Sequence, residues 1–167
     1  MNIGQDRIKS VVKSMNALQI TRLDDPNAAL EVVKQVVEQF VLPTLSEEGK
    51  ETFPVTLAKN MPVMFSDANV EIFGMQTDQG LAGYIAVGRK THIHHLFVRA
   101  DQQQKGIGRM LIDFVEQRSR ASNIPQLTVR ASLNAVPFYE KCGFETTADT
   151  QEINGIKFQP MQKPLQS

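Results

Sequence analysis

The stretch that decides the fold is VRADQQQKGIGRMLIDFVEQ, Val98 to Gln117. It leaves an apolar run, crosses a polar loop and enters a segment with apolar residues at helical spacing. At the junction stands Gln103-Gln104-Lys105-Gly106-Ile107-Gly108. Glycines one residue apart let the backbone approach a ligand with no Cβ in the way. The helix that follows begins with unpaired N–H groups and the positive end of its dipole. A glycine loop feeding a helix start is an anion site suited to phosphate. Lys105 and Arg109 add formal charge beside it. Taken alone, Gly-x-Gly at a helix start also fits a tight turn into a surface helix.

The flanks sharpen that reading. In front lies an apolar strand, His94-His95-Leu96-Phe97-Val98, and further on comes Asn134-Ala135-Val136-Pro137-Phe138-Tyr139-Glu140-Lys141-Cys142-Gly143-Phe144. With Gln103, Gly106 and Gly108 at its signature positions, the loop resembles motif A of the GNAT acetyltransferases, (Arg/Gln)-x-x-Gly-x-(Gly/Ala). The later segment resembles motif B of the same family. The resemblance runs from about Asn16 to Leu165. It implies the GNAT fold, acetyl-CoA as cosubstrate and an amine as acceptor.

The resemblance also distributes the cofactor contacts. The backbone amides of Gly106, Ile107, Gly108 and Arg109 hold the pyrophosphate, with Gln103, Gln104 and Lys105 at the loop entrance. The strand Leu96-Phe97-Val98 lies along the pantetheine arm, where the family splays two parallel strands apart. Asn134 matches the family asparagine that hydrogen-bonds the cofactor, although asparagine is also a favoured helix N-cap. Tyr139 matches the tyrosine that serves as general acid near the sulfur. A phenol with pKa of about 10 is protonated at neutral pH; periodicity alone would make Tyr139 a half-buried core aromatic.

All three histidines of the chain, His92, His94 and His95, fall in the strand before the loop. Strand alternation predicts His92 and His94 on one face and His95 on the other. An imidazole with a pKa near 6.5 suits a base at neutral pH. His92 stands where histone acetyltransferases of the superfamily keep their base, and His92 with His94 resembles the His-x-His pair of serotonin N-acetyltransferase. Both are therefore candidate bases facing the cofactor slot, and both also fit histidines hydrogen-bonded beside a sheet. No Cys, Asp or Glu neighbour completes a metal ligand set, so no metal is expected. Cys142 reads as a small buried filler.

Working outward, the expected order is α–β–α–α–β–β–β–α–β–α–β–β. That is an α/β GNAT fold: a mixed, mostly antiparallel sheet of about seven strands flanked by helices on both faces. Gln5–Met15 carries apolar residues at helical spacing and reads as an accessory helix (residues 1–15) of a single domain spanning 1–167. Leu18–Leu23 alternates as a strand. Asp24-Asp25-Pro26-Asn27 caps a helix that reaches Phe40 and stops before Pro43. Ser46 opens a second helix that Pro54 interrupts, with Asn60-Met61-Pro62 as a break. Val70–Gln76, Leu81–Val87 and Thr91–Val98 form a meander. Gln126–Ala131 follows the long helix as the parallel partner strand. Asn134–Cys142 is a short helix closed by Gly143. Phe144–Thr150 and Ile156–Met161 pair as a hairpin through Glu152-Ile153-Asn154-Gly155, in which Asn-Gly is a strong hairpin signal.

Composition bounds the function. Lys+Arg and Asp+Glu both number 18, so net charge is zero. A bulk nucleic-acid binder would be basic, so no nucleic-acid partner is expected, and acetylation of aminoacyl-tRNA is disfavoured. No apolar run approaches the roughly 18 residues of a membrane span. With a single cysteine and no secretory leader pattern, the expectation is a cytoplasmic protein without a membrane partner, compatible with a homodimer. The main reading is an N-acetyltransferase that moves acetyl from acetyl-CoA directly to a primary amine of a small molecule or peptide in a ternary complex. The alternative is a coenzyme-A-binding regulatory or assembly domain with little turnover. The acceptor has no readable motif. The family builds its pocket from segments that here are Val36–Met64 and Glu145–Pro160, with Val41, Leu42, Phe53, Met61, Met64 and Phe65 as an apolar wall or simply core.

Overall fold

The computed structural model describes residues 19–165. The helix expected over Gln5–Met15 lies outside them. β1 (Gln19–Arg22) leads to α1 (Pro26–Val36), which starts as its sequence predicts: Asp25 accepts a hydrogen bond from the Asn27 N–H, and Pro26 occupies the first turn. The helix does not end regularly at Phe40. It widens into a π turn over Val37–Val41 and tightens into a 3-10 turn over Leu42–Thr44, which accommodates Pro43.

α2 (Glu47–Ser66) is capped by Ser46 and runs through both Pro54 and Pro62. The expected interruptions at Pro54 and at Asn60-Met61-Pro62 do not occur. Each proline removes one backbone bond to the carbonyl four residues earlier, at Lys50 and Ala58. Lys50, Pro54, Ala58 and Pro62 are all exposed and lie four apart on one helix face. Water therefore solvates the freed carbonyls, and the helix continues.

β2 (Val70–Thr77), β3 (Gly80–Gly88) and β4 (His92–Val98) form the antiparallel meander. The glycine loop and α3 (Ile107–Ala121) carry the chain across to β5 (Gln126–Ser132). A 3-10 turn at Leu133–Ala135 precedes α4 (Val136–Lys141), so Asn134 sits in that turn rather than at the helix start. Gly143 follows at φ +91°, the left-handed conformation a glycine cap requires. Of the expected Phe144–Thr150 strand only β6 (Glu145–Thr146) forms, and β7 (Gln151–Ile153) takes up Glu152 and Ile153, which were expected in the turn; both pair with β8 (Ile156–Pro164). The Asn154-Gly155 turn between β7 and β8 has both residues at positive φ, as a two-residue hairpin of this type demands.

The sheet has eight strands in the order β1-β2-β3-β4-β5-β8-β6, with β7 also on β8. Each face carries its own core. One packs Ile85, Ile93, Leu111, Leu127 and Tyr139 between the sheet and α3 and α4. The other packs Val33, Val37, Ile72 and Tyr84 under α1 and α2. Among the described residues the one parallel pair, β4 with β5, is held by only His92↔Thr128 and Ile93↔Val129. Beyond Ile93 the strands part, while β5 stays with β8 as far as Ser132↔Phe158. The sheet is thus split at its centre, and the split opens toward the glycine loop.

β4 also carries a bulge. Ala86 pairs with His95 but Val87 pairs with Ile93, so His94 is an extra residue. An inserted residue resets the inside–outside alternation beyond it. His95 hydrogen-bonds Tyr84 of the α1–α2 core at 2.9 Å. His92 bonds Thr128 at 2.7 Å, and His94 crowds Gly88. All three histidines therefore share the face toward α1 and α2, against the expectation that His95 points away.

Candidate functional site

The glycine loop folds as its composition requires. Gly106 is the N-cap residue of α3 at φ +78°, with no side-chain cap on the helix and nothing within 4 Å of where a Cβ would stand. Gln104 shares the left-handed conformation at φ +63°. The first intrahelical bond is donated by Met110 N–H to the Gly106 carbonyl, so the amides of Ile107, Gly108 and Arg109 have no helical acceptor. This is an open, positively polarised cradle. Gly108 has a different role: a Cβ there would meet the Phe138 ring at 3.1 Å, so its glycine lets Phe138 pack against the helix.

A groove of about 660 Å³ runs from this cradle into the split between β4 and β5. Of the residues expected at the cofactor, Leu96, Phe97, Val98, Gln103, Gln104, Gly106, Ile107, Gly108, Arg109 and Asn134 line it; Lys105 does not. Lys105 instead reaches Gln102 Oε1 at 3.4 Å. The Gln103 side chain donates to the Val98 carbonyl at 3.0 Å, tying the loop to the end of β4. Arg109 Nη1 donates to the Lys141 carbonyl, joining α3 to α4. The groove also includes the buried Gln102, Ser132 and Lys141, which the sequence reading missed, and Val36, Phe40 and Val41 from the end of α1 and the π turn, which it assigned to the acceptor pocket. Ser132 was accessible in principle, because it stands at the end of the strand that pairs with the one before the loop. The π turn had no local signal.

A second cavity, about 260 Å³, lies on the α1–α2 face. Val41, Leu96, Phe97, Ser132, Ala135 and Tyr139 line both spaces, so the two meet there. Val41 and Phe53 of the expected apolar wall line this cavity. Leu42, Met61, Met64 and Phe65 belong to the α1–α2 core instead. The cavity is closed from the far side by a contact between distant segments. Ser46 Oγ donates to the Gly155 carbonyl at 3.1 Å, and Thr52 Oγ1 donates to the Asn154 carbonyl at 2.9 Å. A Cβ on Gly49 would come within 2.4 Å of that same Gly155 oxygen. The β7–β8 turn is therefore docked on the first turns of α2.

Tyr139 is 5% exposed and packs edge-on between Phe138 and Phe144. It is a buried core aromatic that also lines the junction of the two spaces. Burial, with a smaller push from the adjacent Cys142, raises its phenol well above the ordinary range, so it stays protonated.

The histidines divide. His92 lies within the paired part of β4, opposite Thr128, and lines neither space; His94 and His95 line the second cavity. Neither His92 nor His94 faces the cofactor groove as expected, because the strands separate only beyond Ile93. Burial lowers the pKa of His92 and His94; His94's charge adds to the lowering at His92, while Asp67 partly offsets it at His94. His95 is pushed down to about 4 by burial and then by His94.

The site is thus a sheet split between parallel strands, with a glycine loop and a helix N-terminus at the mouth of the split. Comparison with known proteins identifies the fold. The profile of the acetyltransferase (GNAT) domain matches residues 41–165, and the chain belongs to the GNAT acetyltransferase family, enzymes that use acetyl-CoA. A Bacillus subtilis protein named as an acetyltransferase is 25% identical over 143 residues, 85% of this chain and 91% of its own. A GCN5-related N-acetyltransferase structure from Rhodopseudomonas palustris superposes with TM-score 0.76 at 25% identity, covering 89% of this chain and 94% of that one. The PaiA N-acetyltransferase of Thermoplasma acidophilum, solved with coenzyme A, has TM-score 0.67 at 21% identity over 88% of this chain and 98% of its own; that likeness concerns the fold. No helix among the described residues is long and apolar enough to cross a membrane.

Proposed function

We propose that this protein transfers acetyl from acetyl-CoA directly to the primary amine of a small molecule or peptide, both substrates being bound at once. The single observation that carries this is the meeting of two spaces at Val41, Leu96, Phe97, Ser132, Ala135 and Tyr139. One holds a cofactor and the other admits an acceptor, so no covalent enzyme intermediate is needed to bring the partners together.

Bound in the groove, acetyl-CoA supplies an acetyl thioester. The amides of Ile107, Gly108 and Arg109 hold the anionic end through charge-assisted hydrogen bonds. The edge of Leu96–Val98 that has lost its β5 partner orients the arm and offers backbone N–H groups to the oxygen on which negative charge develops. Tyr139, kept protonated by burial, donates to the departing sulfur. His94, on the wall of the acceptor cavity, takes the proton of the attacking amine. His92 stands behind it, with ring centroids 5.0 Å apart, and acts on His94 rather than on the amine.

A thiol-release assay over a panel of amines tests this. Tyr139→Phe keeps the ring and its packing, so the rate should fall by about 10²-fold or more while coenzyme A affinity stays unchanged. His94→Ala should lower the rate at neutral pH and recover part of it at high pH, where free amine is abundant. Unaltered rates in both variants, with chemistry limiting, would remove the proposed acid and base. Coenzyme A binding without turnover of any amine would favour a binding domain.

A further inference from the structure

The second cavity carries charge of one sign. Arg130 on β5 and Lys157 on β8, both exposed, line it, and none of its lining residues is Asp or Glu. The chain as a whole balances 18 basic against 18 acidic residues, so the bias is local. Among the described residues neither cation forms an ion pair. Arg130 is held otherwise: its guanidinium carbon lies 5.2 Å from the centroid of the Phe158 ring, a cation–π contact that leaves its N–H fork free. These charges do not serve the glycine-loop groove, which has its own in Arg109 and Lys141 and does not include Arg130 or Lys157.

The neutral polar lining points the same way. Tyr84 is completely buried and its hydroxyl lies 2.9 Å from His95 Nδ1. A buried phenol keeps its proton and needs an acceptor for it, so Nδ1 accepts and the neutral ring carries its hydrogen on Nε2. His95 is then a hydrogen-bond donor at its second nitrogen.

A plain ammonium entering this space meets two cations and no lining carboxylate, Asp67 acting on His94 from outside the lining. A molecule with several ammonium groups fares worst. A carboxylate on the same molecule reverses the balance, since a guanidinium fork matches it in shape and charge. The cavity, at about 260 Å³, is below the roughly 300–1,000 Å³ typical of sites for drug-sized ligands. Its walls at Leu45, Phe53, Leu57 and Phe158 are apolar. Resting on the acetyl-transfer reading above, we infer that the acceptor is a small apolar amino acid, an amine that also bears a carboxylate, with Arg130 and Lys157 as the residues that select the carboxylate. Polyamines and aminosugars are rejected by the same charges.

The test compares L-leucine, L-methionine and L-phenylalanine with their carboxamides and with spermidine, using the parent protein and acetyl-CoA. The amino acids should be turned over with kcat/KM at least about tenfold above their carboxamides, the order expected for a lost charge-assisted hydrogen bond. Arg130→Gln should raise KM for the amino acids about tenfold and leave the carboxamides and coenzyme A affinity unmoved. Lys157→Gln, at an exposed position, should act in the same direction and serves if Arg130→Gln folds poorly. Equal use of carboxamides, preference for spermidine, or an unchanged KM in both variants overturns the inference while leaving acetyl transfer standing. Failure of every probe, with coenzyme A still bound, counts against both.

Discussion

The glycine-loop groove and the second cavity, proposed above as cofactor and acceptor sites, share a wall but are built by different means. The groove's anion cradle is backbone, with three amides at one helix start, one unpaired strand edge and glycines within a single loop, while side chains from the π turn, β5 and α4 complete its walls. The acceptor cavity is made of side chains from the π turn, α2, β4, β5 and β8, and is closed by a turn more than a hundred residues from the helix it docks on. On the proposed reading the groove's ligand is the acetyl-CoA common to the family, so a local main-chain device suffices for its anionic end. The acceptor differs between enzymes, and side chains from separate segments can be exchanged without disturbing that device.

The contrast extends to pH. Every histidine sits on the acceptor side. His95, with its pKa held down to about 4, is neutral in the folded protein across a range where the unfolded chain, near 6.5, binds a proton. The unfolded state therefore takes up more protons between those values, and stability falls as pH drops from about 6.5 toward 4. The loss should reach the order of 3 kcal/mol from His95 alone, with His92 and His94 adding in the same direction. Thermal melts across this range should show the parent losing stability and His95→Gln losing distinctly less. Equal acid sensitivity would break the assignment of that loss to the acceptor side.

A backbone clash separates the two regions next. Gly49→Val places a Cβ within 2.4 Å of the Gly155 carbonyl, so the β7–β8 turn must lift from α2. Overpacking of this kind costs about 1–3 kcal/mol, and the acceptor KM should rise by about tenfold while coenzyme A affinity, read by calorimetry, is kept. If both affinities fall together, the two regions are not independent.

The smallest expected effect sharpens the groove itself. Gly106 is open on all sides at positive φ, a conformation that Asp and Asn accept more readily than other side chains. Gly106→Asp puts a carboxylate beside the loop amides; coenzyme A should bind about tenfold more weakly, about 1.4 kcal/mol, than to Gly106→Asn. Substituting Gly108 is a poorer probe, because its Cβ would disturb Phe138 as well as any ligand. Equal binding by the two Gly106 variants would move the anionic end away from this loop.

What the sequence determined by itself is what depends on neighbours along the chain. Gly106 at a helix start, Asp25 and Ser46 as caps and Asn154-Gly155 in a hairpin turn are local preferences of φ, ψ and hydrogen bonding, and each is where the sequence predicts. Tertiary structure decided whatever depends on a partner far away. Pro54 and Pro62 stay helical because the freed carbonyls of α2 face water. His95 turns to the acceptor face because pairing with β3 makes His94 a bulge. Register, bulge and burial are set by which segments meet across the sheet, and no window of sequence contains both members of such a pair.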